Sequence, residues 1–461
     1  MQNFWDYNVW GFVLMMSVVG ISLLLANLLK KSFRFLKYSL IPTSVLAGIL
    51  LLLVAVIYHA ITGDNLFNSA IFGGDGVAKL EILTYHCLAL GFIATTFSTG
   101  KNTFGKKRNI EIFNTGVTTV STYLLQAVLG LGITLIVAAF VVDFFSAAGV
   151  LLPFGYGQGS GQAMNYGTIY ENDYGFVGGK SFGLSIAALG FLSAAIGGVI
   201  HLNILRRKGK ISSSREDVIE ALNGEDIQSA DEIPMNGSID KSTVQVCIIF
   251  AAYLAAYVVI FLLGEAIATF KTVLYGFNFL FGVLMASLLK LILNKLHERG
   301  TVKKQYINHF LMKRLTGFFF DVMIVAGIAA IQVEFLAGTW PVLLILGVVG
   351  AFTTYWYNHY VAKKLFPEYT EQQFLAMYGM LTGTASTGII LLREMDPEFK
   401  SPASDNLVYQ NFPAIVFGFP MMLLATLAPK QPVLTFIILV AFFIAMNVIL
   451  FRSFLFRRKK K

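Results

Sequence analysis

The chain has 461 residues, of which 56% are hydrophobic and 13% charged, with 41 phenylalanines and a formal charge of +9. Soluble domains average about 25% charged residues, so most of this chain must be solvated by lipid rather than water. Its Lys and Arg sit in short clusters beside apolar runs, a pattern that reports membrane orientation and excludes nucleic-acid binding as the reason for the charge.

In chain order, runs long and apolar enough to cross the hydrocarbon core as a helix fall first at 9–29, 40–60, 80–99, 115–142 and 181–205. Six more follow at 243–264, 271–294, 315–338, 340–362, 404–428 and 432–456. The stretch from Met1 to Trp10 has no basic region and no small-residue cleavage site, so the first run is expected to be retained. Trp5, Tyr7 and Trp10 are expected to anchor it at the interface. Two further stretches, 145–170 and 371–393, follow the fourth run of each half and are too glycine-rich and polar for ordinary spans. They are expected to be re-entrant hairpins. Cys87 and Cys247 lie inside apolar runs without ligand-like neighbours, which leaves disulfide and zinc readings unsupported.

Basic clusters assign the sides. Lys30, Lys31, Arg34 and Lys37, then Lys101, Lys106, Lys107 and Arg108, then Arg206, Arg207, Lys208 and Lys210 mark alternate loops as cytoplasmic. Lys295, Arg299, Lys303, Lys304, Lys363, Lys364 and the tail Arg457 to Lys461 continue the series, whereas Asp64, Asp75, Asp143, Glu171 and Glu265 mark the outer loops. The N-terminus is thus expected outside and the C-terminus in the cytoplasm. An odd number of spans in the first half makes the second half begin from the opposite face. The expected fold is an all-α polytopic membrane protein of two inverted repeats of five transmembrane helices, each with a re-entrant hairpin, plus one extra C-terminal helix. The first repeat would cover 1–207, a cytoplasmic linker 208–241, the second repeat 242–430, and the extra helix with its basic tail 431–461. Inverted repeats characterise many secondary transporters, which bind substrate and ion near the midplane.

The first hairpin reads Gly155-Tyr-Gly-Gln-Gly-Ser-Gly-Gln-Ala-Met-Asn165. Glycines at alternate positions cannot sustain a helix, since each costs about 1 kcal/mol relative to Ala. The backbone is expected to open there, and the helix resuming near Gln162 would direct its positive end at an anion. Gly157, Gln158, Gly159, Ser160, Gly161, Gln162 and Asn165 are accordingly candidate substrate-binding residues. A tight turn for helix packing is the alternative. In the second hairpin, Gly383 and Gly388 bracket Thr384, Ser386 and Thr387, hydroxyls suited to a hard cation such as Na⁺. Gly383, Thr384, Ser386 and Thr387 are therefore candidate ion ligands, against an alternative of small-residue helix packing.

Arg393 either pairs with a substrate carboxylate, whose geometry a guanidinium matches, or forms an ion pair with Glu394 or Asp396. Asp321, inside an apolar run, is a candidate coupling-ion site by its cost of burial, or else a shallow carboxylate neutralised by Arg314. His86 has no second ligand at metal spacing and reads as a hydrogen-bonded packing residue. Gln126, Asn278 and Gln332 are intramembrane polar residues without a motif. Ser160 and Ser386 do not complete Gly-x-Ser-x-Gly, and no metalloprotease or P-loop motif occurs, so an enzyme is not expected.

Gly157-Gln-Gly-Ser-Gly-Gln-Ala163, Tyr170-Glu-Asn-Asp-Tyr-Gly-Phe176 and the span from Phe182 to Gly198 resemble the bacterial sodium/glutamate symporter family. Gly383-Thr-Ala-Ser-Thr-Gly388, Asp396-Pro-Glu-Phe399 and Phe417-Gly-Phe-Pro420 are similar to a divergent branch of it. The resemblance implies Na⁺-coupled uptake of glutamate, or a related amino or carboxylic acid, by elevator-like alternating access. It also implies a homodimer in the bacterial inner membrane, with no cofactor beyond the coupling ion. The rival expectations are a non-transporting hydrolase or sensor on the same scaffold, and a carboxylate transporter coupled to H⁺ through Asp321.

Overall fold

A computed structural model describes residues 5, 7–38, 40–98, 105–210, 239–267, 271–300, 306–396 and 400–455. Most of the expected linker, the basic tail from Arg457, and Pro397 to Phe399 lie outside the described residues. All regular structure in the described part is helical. The longer helices are, in order, α1 Tyr7–Ser32, α2 Thr43–Thr62, α3 Gly76–Ser98, α4 Lys106–Phe140 and α5 Ser160–Tyr174. Next come α6 Gly179–Arg207, α7 Lys241–Ala266, α8 Asn278–Glu298, α9 His309–Ala329 and α10 Trp340–Leu365. The chain continues with α11 Thr370–Leu381, α12 Ala385–Arg393, α13 Ala403–Tyr409, α14 Asn411–Leu427 and α15 Pro432–Leu450.

Nine of the described helices are long and apolar enough to cross a membrane, and a tenth span results if α13 and the body of α14, bent by 50° at their break, are taken together. Eleven such runs were expected. The one that falls outside the count is 315–338. Its helix, α9, begins earlier, takes in Lys313 and Arg314 as well as Asp321, and stops at Ala329. A 3₁₀ turn, Val333–Leu336, follows it.

The described residues form two compact units, one of residues 1–81, 104–212 and 324–461, the other of 82–103 and 213–323. Each draws on both halves of the sequence. In the first unit α1 buries one stripe and exposes the rest, whereas α5 and α11 are mostly buried. On α1, Met15, Val19, Ser22 and Ala26, spaced by three and four residues, are buried, while Ile21, Leu24, Leu25 and Leu28 are exposed. That is the periodicity of a helix facing protein on one side and lipid on the other. In the second unit Phe92 packs against Phe279 and Phe320, with ring centroids 5.3 and 5.5 Å away. His86 Nδ1 lies 2.6 Å from the Tyr253 hydroxyl, so it is hydrogen-bonded as expected, but the residue is exposed. Both cysteines are free thiols.

Both glycine-rich stretches turn back on themselves. Along a continuous helix the twelve steps from Phe154 to Tyr166 would span about 18 Å, yet their rings stack with centroids 3.8 Å apart. Likewise Gly379 and Gly388 would be separated by about 13 Å, but a Cβ built on Gly379 would come within 2.7 Å of Gly388 Cα. These are helix-break-helix hairpins, and both belong to the first unit.

Candidate functional site

The first hairpin descends through a 3₁₀ turn, Ser146–Val150, and a π-turn, Phe154–Gln158, to Gly159. Gly159 has φ 85° and ψ −179°, a backbone region essentially restricted to glycine. Its neighbours need to be small for another reason. A Cβ on Gly155 would meet Ala187 N at 2.8 Å, and one on Gly157 would enter the Tyr123 ring. Packing thus accounts for Gly155 and Gly157, and conformation for Gly159.

From Gly159 the chain enters α5, whose first intrahelical bond is donated by Ala163 N–H to Gly159 O at 3.2 Å. The amides of Ser160, Gly161 and Gln162 precede it and point out of the helix end, where the dipole is positive. Ser160 and Gln162 are fully buried. Ser160 Oγ, both amide atoms of Gln162 and Gln158 Nε2 make no hydrogen bond with any described protein group. Buried polar groups are nearly always satisfied, so four such atoms around one helix N-terminus define a ligand-ready cluster. Gly161 and Asn165 are buried on the same helix. Gly327 of α9 closes the cluster from one side, its built Cβ lying 3.2 Å from Ser160 Oγ.

The second hairpin breaks at Thr382 to Thr384. Thr384 caps α12 by accepting the Thr387 N–H at 3.5 Å, and the two hydroxyls are 3.4 Å apart. Thr382 Oγ1 donates to Tyr378 O at 2.6 Å. Gly383 faces Thr387 Oγ1 and Gly379 O, at 2.9 and 3.0 Å from its built Cβ. Gly388 has a packing role, since its built Cβ would lie 2.4 Å from Ala376 O on the opposite arm. Ser386 lies in the first turn of α12, and its side chain is outside the described residues.

Two helices bring the breaks together. On α4, the Tyr123 hydroxyl donates to Gly157 O at 3.0 Å, while Gln126, one turn on, donates from Nε2 to Leu381 O at 3.0 Å and to Thr354 Oγ1 at 2.8 Å. On α6, a Cβ built on Gly190 would sit 2.7 Å from Thr382 O and 3.3 Å from Tyr156 Cα. Ser193, also on α6, lies 2.9 Å from the Tyr156 hydroxyl through its own hydroxyl, and accepts the Tyr378 hydroxyl at 2.9 Å through its carbonyl. Tyr156 further donates to Gly347 O of α10 at 2.6 Å. Each hairpin tip is therefore tied to the same two helices.

The α4 face that reaches the second hairpin is polar along its length. Thr115 accepts from Gln373 at 3.2 Å, Thr119 donates to Gln410 at 2.8 Å, and Thr122 accepts from Asn358 at 3.3 Å. The recurrence of Thr115, Thr119, Thr122 and Gln126 at three- and four-residue spacing was the available sequence signal, although only Gln126 stands out by residue type. Tyr123 and Gly190 carried no signal of their own.

Two candidates lie away from the breaks. Arg393 is at the far end of α12, nine residues and about 13 Å along the axis from Thr384. Glu394, next to it, accepts from Arg206 at 2.9 Å, and Asp396 accepts the Lys400 and Ser401 amides at 2.9 and 2.8 Å. Asp321 is exposed and belongs to the second unit, not to the unit that holds the breaks.

Fold and composition together define a multi-pass, all-helical membrane protein. No protein-family model matches the chain, and no curated protein matches it.

Proposed function

We propose that the protein is a secondary active transporter that carries glutamate, or a related amino or carboxylic acid, together with Na⁺ by elevator-like alternating access. The observation that carries this reading is the pairing of two broken hairpins across α4 and α6, one of which presents unpartnered buried polar atoms at a helix N-terminus. Such an end favours an anionic group. In repeat-built transporters, half-helices of this kind bind substrate while unwound carbonyls hold the coupling cation. In this reading the substrate carboxylate meets the amides of Ser160, Gly161 and Gln162, with Ser160, Gln162 and Gln158 supplying side-chain contacts. Na⁺ is held by hydroxyl and carbonyl oxygens around Thr382, Thr384 and Thr387. The two inverted repeats, the homodimer, the inner-membrane location with an outer N-terminus, and membership of a divergent branch of the sodium/glutamate symporters belong to the same proposal.

The test is uptake of radiolabelled L-glutamate, L-aspartate and dicarboxylic acids into proteoliposomes under an inward Na⁺ gradient. Accumulation that collapses with choline in place of Na⁺ supports the reading. No accumulation of any of them defeats it, and uptake that follows a pH gradient without Na⁺ replaces the coupling ion with H⁺. Labelling of Ser160 or Ser386 by a serine-reactive probe would instead favour a hydrolase.

A further inference from the structure

At the end of α11 remote from the break, three residues from three helices converge. His201 of α6, His359 of α10 and Glu371 in the first turn of α11 place one ligand atom each within 4.8 Å of one another. His201 Nε2 lies 3.1 Å from Glu371 Oε2, and His201 Nδ1 lies 2.7 Å from the Tyr355 hydroxyl. His201 is 4% exposed. His359 Nδ1 is buried and takes no hydrogen bond from a described protein group. Lys210 binds the other carboxylate oxygen, Oε1, at 2.9 Å and is itself half exposed, so the cluster opens to the surface beside it.

The geometry points to a transition-metal site of His201, His359 and Glu371 that takes Zn²⁺. Two imidazoles and a carboxylate are the donor set of an open zinc site, with water in the fourth position. Bonds of about 2.0–2.1 Å put tetrahedral ligand atoms roughly 3.3 Å apart, close to the spacing His201 and Glu371 already have. The Tyr355 oxygen can accept Nδ1–H, which fixes the tautomer that leaves Nε2 free to ligate, the usual support for a metal-bound histidine. Lys210 orients the carboxylate from its far oxygen. Lys208 and Lys363 act electrostatically on His359, and with Lys210 they oppose a dication, which makes the affinity moderate. Bound there, the metal clamps the end of the second hairpin remote from its break to α6 and α10. This inference does not depend on the transport reading.

The experiment uses the full-length protein in detergent, treated with a chelator and then titrated with ZnCl₂, with CoCl₂ as a spectroscopic probe and MgCl₂ as the control. The expected result is one Zn²⁺ per chain, a raised unfolding temperature, and the visible absorption of four-coordinate Co²⁺. His359→Gln and Glu371→Gln should abolish both signals. Tyr355→Phe, which keeps the ring, should weaken binding about 10–100-fold. His86→Gln and His309→Gln should bind as the wild type does. No saturable response to Zn²⁺, or a response undiminished in both His359→Gln and Tyr355→Phe, overturns the assignment and leaves the cluster an ion-paired brace.

Discussion

Replacing Gln162 by Leu separates a binding residue from a structural one. The side chain is fully buried, and neither of its amide atoms is hydrogen-bonded by a described protein group. A buried polar group left unsatisfied costs about 1–3 kcal/mol. Leu has nearly the same volume, so the swap removes two such atoms without opening a large cavity. Taking the lower end of that range for each atom, because a polar pocket beside a helix terminus admits some water, Gln162→Leu should stabilise the substrate-free protein by about 2 kcal/mol. The same change deletes a donor and an acceptor from the proposed carboxylate site, so L-glutamate with Na⁺ should no longer raise the unfolding temperature, as it should for the wild type. Both quantities come from thermal unfolding in detergent at one fixed scan rate, with and without L-glutamate, in NaCl and in choline chloride. A variant less stable than the wild type would show that the amide serves the fold. A variant keeping the full glutamate-dependent shift would remove Gln162 from the site.

Gln126→Leu strips a shared donor from Leu381 O and Thr354 Oγ1 and should destabilise the protein by about 2 kcal/mol; it should also reduce Na⁺-driven uptake more than Asn447→Leu, which lies on α15. Gly190→Ala adds a methyl 2.7 Å from Thr382 O, so overpacking of about 1–3 kcal/mol is expected, seen as a lower unfolding temperature and slower uptake. Gly20→Ala, whose Cβ would meet nothing within 4 Å, should instead be neutral or stabilising by up to about 1 kcal/mol. Arg206→Met leaves the Glu394 carboxylate, 1% exposed, without its cation, a loss of about 3–5 kcal/mol. The double variant Arg206→Met with Glu394→Gln should recover most of that loss in the same unfolding assay.

Lipid solvation, the helical class and the positions of both breaks were legible in the chain because each is a local property. A twenty-residue apolar run has few alternatives in a bilayer, since unpaired backbone groups cannot be left in hydrocarbon. Glycines at Gly155, Gly157, Gly159 and Gly161 each weaken a helix by about 1 kcal/mol and so mark the region of the break, although Gly155 and Gly157 stay in the π-turn and Gly161 in α5. Gly159, the one that occupies a glycine-only conformation, is among them. The helix ends were less legible. α9 runs over His309–Ala329 rather than the expected 315–338, because hydropathy alone does not mark where a helix that includes Lys313, Arg314 and Asp321 begins and ends.

What tertiary structure alone decided is which distant groups meet. Nothing local links Tyr123 to Gly157, Gln126 to Leu381, or Gly190 to Thr382; these contacts exist because α4 and α6 pack beside both breaks. The same packing gathers His201, His359 and Glu371 from three helices. A span written in lipid-soluble residues states that it crosses the membrane. Its neighbours are chosen by the close fit of small and polar residues on its buried face, which becomes readable only when the facing helices are in place.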